Sequence, residues 1–276
     1  MNIDQYINWL ITIWLIIAAL IVFRLQRSAH FSIRQINEYC WNRDVPGSLV
    51  LLATGLYILF ASVGVTVANK LFPGSIAPKQ TAMAISGAAS VWIVLMAVRY
   101  LTNRGLEDIG LYRENPRARL IEAMRIILIL YPFIALLATV SGLLAGLINE
   151  DFLKQNHPFL EEIRADKGSP VYLLAVLAMG VNVVLVTPFA EELLFRGLLQ
   201  GSIVSKGARP MTAICITAAV FAAVHGMTIW THWPALFAFA FILGTLYERN
   251  RSLLLCFFMH SLFNLISFAG SLISGV

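Results

Sequence analysis

The sequence predicts an all-α fold, a polytopic membrane bundle of about eight transmembrane helices. Three observations carry that reading. Of the 276 residues, 59% are hydrophobic and 13% charged, with a mean hydropathy of +0.77, whereas a soluble domain carries about 25% charged residues. The apolar residues fall in runs close to the ~20 that a helix needs to cross a bilayer core. Lysine and arginine collect in alternate loops, as membrane topology requires. The net charge of +5 is therefore a topology signal. It gives no reason to expect nucleic acid, and the lipid bilayer is the predicted surroundings.

The first run, 7–23, follows Asp4 and closes at Arg24 and Arg27. It lacks a basic leading region and a small-residue cleavage site, so it is predicted as a retained span. Further spans are predicted over 49–69, 82–102, 121–148, 171–204, 210–226, 233–248 and 252–273. Their internal Pro and Gly residues are tolerated in membrane helices. Between spans, TNRGLEDIGLYRENPR (103–118) mixes Leu106, Ile109 and Leu111 with charges and reads as interfacial. Residues 149–170 are acidic and read as an outer cap, and TIWTHWP (228–234) suits an aromatic belt. The chain divides into 1–118, 119–170 and 171–276. With the N-terminus outside, Arg24, Arg27, Arg34, Arg43, Arg99, Arg104 and Arg113 all fall inside, as do Lys206, Arg209, Arg249 and Arg251. Both termini are then outside. Cys40, Cys215 and Cys256 show neither metal-ligand nor disulfide spacing and read as packing residues.

Ionisable residues inside apolar runs cost roughly 2.5–3.5 kcal/mol each at the bilayer centre and mark function or a structural pair. Three spans carry them. PFAEELLFRGLLQ (188–200) places Glu191, Glu192 and Arg196 in the fifth. Glu192 and Arg196 are i, i+4 and predicted to pair. Glu191 points about 100° away and is left for another neighbour. Phe221 and His225 share a face in the sixth span, as do His260 and Asn264 in the eighth. Counted from Lys206, Arg209 and Arg251 at 1.5 Å per residue, Glu191, His225, Asn264 and His260 lie at depths of roughly 22, 24, 20 and 14 Å. Those depths let the four side chains converge, with Pro188 expected to kink the helix just before Glu191.

A buried carboxylate beside an imidazole is a general-base pair. Glu191 would take a proton from a water held between it and His225. The N–H groups of His260 and Asn264 would hold the oxyanion formed when that water attacks a peptide carbonyl. No serine or cysteine occupies a nucleophile motif. Glu191, His225 and His260 could instead form a two-His, one-Glu zinc set with an open position. There is no HExxH, so metal-free water activation is preferred, with no cofactor.

EELLFR, FAAVH and HSLFN resemble, in order and spacing, the EExxxR, FxxxH and HxxxN/D motifs of the CPBP intramembrane proteases. That family groups type II CAAX prenyl endopeptidases with bacteriocin-processing and self-immunity proteins. The resemblance covers roughly 171–268. It implies an integral membrane endopeptidase, in a bacterial cytoplasmic membrane, acting on a membrane-associated peptide or protein. Glu191 looks like the water-activating glutamate and His225 its partner. His260 and Asn264 look like the oxyanion pair, with Glu192, Arg196 and Phe221 supporting. Two readings of a different class are a transporter using Glu191 as an ion site and a catalytically silent scaffold.

Overall fold

The computed structural model describes residue 37 and residues 41–147, 170–226 and 230–273. No strand occurs among the described residues. Among the described residues seven long helices follow one another: α1 Gly47–Leu71, α2 Ile76–Leu101, α3 Pro116–Gly146, α4 Tyr172–Ser205, α5 Pro210–Gly226, α6 Trp233–Asn250 and α7 Leu253–Ile273. Each overlaps a predicted span, though α2 begins six residues and α3 five residues earlier than predicted. The predicted first span, Cys40 and the acidic stretch up to residue 169 lie outside the described residues.

Five of these helices, α1, α2, α3, α4 and α7, are long and apolar enough to cross a membrane. The other two are predicted spans that fall short of that standard, for different reasons. Helix α5 is apolar but short. Helix α6 carries Glu248 and Arg249 in its last turn. The charge of Glu248 is answered inside the protein, where Arg43 donates to both of its carboxylate oxygens at 2.7 and 3.0 Å. Leu51, Ile58, Trp92, Leu128, Leu143 and Leu173 are all exposed on the outside of the bundle, as lipid-facing positions should be. With these spans the chain is an integral membrane protein.

Helix α1 packs along α2, α5 along α6, and α7 against α3 and α6. Water gives no drive for such packing in a bilayer, so close backbone approach substitutes for it. Helix α2 accordingly buries Ala77, Ala84, Ser86, Gly87 and Ser90. A Cβ at Gly87 would stand 2.8 Å from Val186 Cγ1 on α4, so glycine there is what lets α2 and α4 meet.

The segment 103–118 forms a 3-10 turn over Gly105–Ile109, closed by Gly110 at φ 71. Asp108 is fully buried within it. Its carboxylate accepts from the backbone N–H of Arg104 at 2.8 Å and of Asp44 at 3.2 Å. Gly110 O accepts from the N–H of Leu253 at 3.0 Å, which ties this loop to the start of α7.

Candidate active site

Helix α4 is not uniformly α-helical. Two π stretches, Asn182–Val186 and Leu193–Gln200, bracket the turn Thr187–Glu192. π-bulges concentrate at functional sites. Pro188 supplies the local reason for the first. In i→i+5 bonding the donor owed to Val183 O is the N–H of residue 188, which proline lacks. Asn264 Nδ2 of α7 donates to that carbonyl instead, at 2.9 Å.

The bracketed turn carries Glu191 and Glu192. Glu191 meets both histidines: its Oε1 is 3.3 Å from His225 Nε2, and its Oε2 is 3.7 Å from His260 Nε2. Each ring is anchored through its other nitrogen. His225 Nδ1 donates to Phe221 O at 2.9 Å. His260 Nδ1 bonds Glu192 Oε1 at 2.7 Å. Two consequences follow from the limited hydrogens on an imidazole. The His225–Glu191 contact is a hydrogen bond only when one further proton sits on the ring or on the carboxyl group. His260 presents an Nε2–H only as an imidazolium.

Glu192 and Arg196 pair as predicted. Arg196 Nη1 donates to Glu192 Oε1 at 3.1 Å, and Nε lies 3.1 Å from Oε2, with both side chains almost wholly buried. Arg196 Nη2 also donates to Ala240 O at 3.2 Å. Glu192 therefore joins α4 to α7 through His260, and Arg196 joins α4 to α6. Phe221 sits beneath this layer. Its ring stacks on His225 with centroids 4.2 Å apart, and the Arg196 guanidinium lies 5.1 Å from its centroid.

Of the predicted set, Glu191, Glu192, Arg196, Phe221, His225 and His260 form one connected cluster. Asn264 is one turn beyond His260, and its recorded partner is Val183 O. That bond orients the amide and leaves its second N–H for another acceptor. Glu191 Oε1 and His225 Nε2 stand 3.3 Å apart, so a water touching both would sit beside the pair and not in line between them.

Polar residues outside the predicted set also reach α4. Gln80 of α2 accepts from Asn182 Nδ2 at 3.1 Å, and Asn182 Oδ1 accepts from Thr187 at 3.4 Å. A second buried layer lies nearer the end of α4. There Gln200 Nε2 donates to Gly244 O at 3.1 Å and to Glu248 Oε1 at 2.7 Å. A Cβ on Gly244 would come within 2.8 Å of Gln200 Oε1. Counting only ionisable residues within spans passes over Gln80, Asn182 and Gln200. Their signal is an amide inside an apolar run.

Comparison with known proteins fits this geometry. The type II CAAX prenyl endopeptidase Rce1-like family model matches residues 173–266. Residues 173–266 are Rce1-like. The Rce1-like segment runs from α4 into α7 and contains every residue of the cluster. Gln80, Arg43 and helices α1 to α3 stand outside the match. No curated protein and no solved structure matches the chain.

Among the described residues no group of three His, Cys, Asp or Glu side chains is arranged to hold a metal ion. The ring orientations alone do suit one, since each imidazole turns Nε2 to the common carboxylate while Nδ1 is held by an acceptor.

Proposed function

We propose that the protein is an intramembrane endopeptidase that hydrolyses a peptide bond in a membrane-associated peptide or protein by Glu191-activated water. The observation that carries this is the meeting of one carboxylate with two imidazoles from two other helices, inside a Rce1-like segment. Glu191 takes the proton of the attacking water, and the His225–Glu191 pair then holds that proton for the leaving amine. His260, as the imidazolium supported by Glu192, and the free N–H of Asn264 stabilise the oxyanion. Glu192 and Arg196 keep the turn in place. The counts of basic residues support an inner face carrying the α1 N-terminal end and the α4–α5 turn, with both termini outside; a bacterial cytoplasmic membrane is what the resemblance implies.

The ring orientations favour a second reading. Glu191, His225 and His260 would hold a zinc ion, which would supply Lewis-acid chemistry to the same hydrolysis.

The test is cleavage of a panel of membrane-anchored peptides, prenylated and unprenylated, by protein purified in detergent, with products read by mass spectrometry. Products from the wild type that disappear in Glu191→Gln and His225→Ala and persist in a strong chelator are the expected result. Loss on chelation with recovery on zinc establishes the metal reading. Undiminished cleavage by Glu191→Gln removes Glu191 from the chemistry under both readings.

A further inference from the structure

The hydrolytic water of that reading needs a place against the Glu191 carboxylate. One exists. A cavity of about 30 Å3 lies where α1, α2 and α4 meet, and its lining includes Ala53, Tyr57, Ser90, Val94 and Glu191. A water needs about 10–15 Å3 by this measure and two to four polar partners. Three polar side chains from three helices supply them.

Their hydrogen-bond states decide how a water would sit. Ser90 Oγ donates to Gly87 O at 2.8 Å, so it offers the cavity only a lone pair. The Tyr57 hydroxyl, also on the lining, can either donate or accept. The Glu191 carboxylate accepts by nature, and with about four lone-pair sites it has capacity beyond the two histidines. Ser90 and the Glu191 carboxylate thus present acceptors to the cavity. A water there can give one hydrogen to Glu191 and the other to Ser90 or Tyr57, which leaves a lone pair for an electrophile.

We propose that this cavity is the station of the hydrolytic water and that Tyr57 positions it. Tyr57, Ser90 and Ala53 precede residue 173, so α1 and α2 complete a site whose other members all lie in the Rce1-like segment. The inference rests on the proteolytic reading above. It differs from interhelical hydrogen bonding as mere glue, which would affect folding and leave turnover alone.

Two substitutions test it, alongside Glu191→Gln. Tyr57→Phe removes the hydroxyl at nearly unchanged shape, and Ala53→Val fills the cavity without touching a polar group. Each is expected to lower kcat by roughly 10–100-fold, the scale of a misplaced reactant, with KM and the thermal unfolding temperature unchanged. A substrate-independent readout accompanies them: the infrared difference between wild type and Glu191→Gln isolates the Glu191 carboxyl band. Loss of a shared water moves that band in both variants. Glu191→Gln inactive with Tyr57→Phe and Ala53→Val at wild-type kcat overturns the water station alone. Glu191→Gln fully active overturns the proteolytic reading and this inference with it. An unmoved band in both variants overturns the station even if no peptide in the panel is cleaved.

Discussion

At the scale of single residues, Glu192 and Arg196 were legible from spacing alone, because i, i+4 on a helix leaves two long side chains little choice but to meet. The depth count likewise brought Glu191 to His225 and His260. Spacing could not foresee that His260 would split its two nitrogens between Glu191 and Glu192, since that depends on the rotation of α7 about its own axis. The buried pair gives a sharp expectation. Arg196→Leu takes the guanidinium from Glu192 at a site with no exposed surface and leaves it only His260 as partner, and removing one partner of a buried pair costs up to about 3–5 kcal/mol. Glu192→Gln combined with Arg196→Leu should recover part of the loss. Thermal unfolding in detergent of the two single variants and the double variant measures the coupling, and strict additivity would deny it.

At the scale of elements, all seven described helices could be read from apolar runs, because a bilayer imposes both length and polarity on what crosses it. The interior of α4 could not. Pro188 signals a disturbance, yet a kink, a break and a π stretch are all open to a proline, and the choice is made by the donor that arrives from α7. This sets a double-variant test. Asn264→Ala orphans Val183 O and should cost about 1–3 kcal/mol. Pro188→Ala returns an N–H to the helix and should reduce that cost when the two are combined. Equal costs of Asn264→Ala in both backgrounds, measured by unfolding, would show that the carbonyl is served by something else. At the end of α6, Arg251 holds a left-handed conformation at φ 55, a region that costs a side-chain-bearing residue roughly 1 kcal/mol or more. Arg251→Gly should raise the unfolding temperature by relieving it, and a lowered one would reveal an interaction of the side chain itself.

At the scale of the whole molecule, the residues that match a protease family occupy about the last third of the chain, but the bundle is not built in thirds. Leu193 and Leu198 of α4, Val94 and Val98 of α2, Ile127 of α3 and Met259 of α7 share one buried core. Arg43, ahead of α1, neutralises Glu248 at the end of α6. Composition revealed the class of molecule but not this interdependence, which arises from contacts between residues more than two hundred positions apart. A chain comprising 171–276 alone should therefore reach the membrane yet lack stable fold and cleavage. Protease resistance and turnover of that fragment, compared with the full chain, test the point. Arg43→Met alone should also destabilise by a few kcal/mol, because it leaves the buried Glu248 charge with no counter-charge and only the Gln200 amide to answer it.

The paired π stretches of α4 have a consequence for anyone reading this helix by counting. Each stretch stores a residue that a regular helix would not hold, so the two ends of α4 keep different phase. A single deletion within Leu193–Gln200 would leave the apolar composition and every motif letter before it unchanged. It would still turn Glu191 and Glu192 away from the faces of Gln200 and Ser202. The helix thus behaves as two cogs on one shaft, each set to its own neighbours, and the register between them is written in the number of residues rather than in their kind.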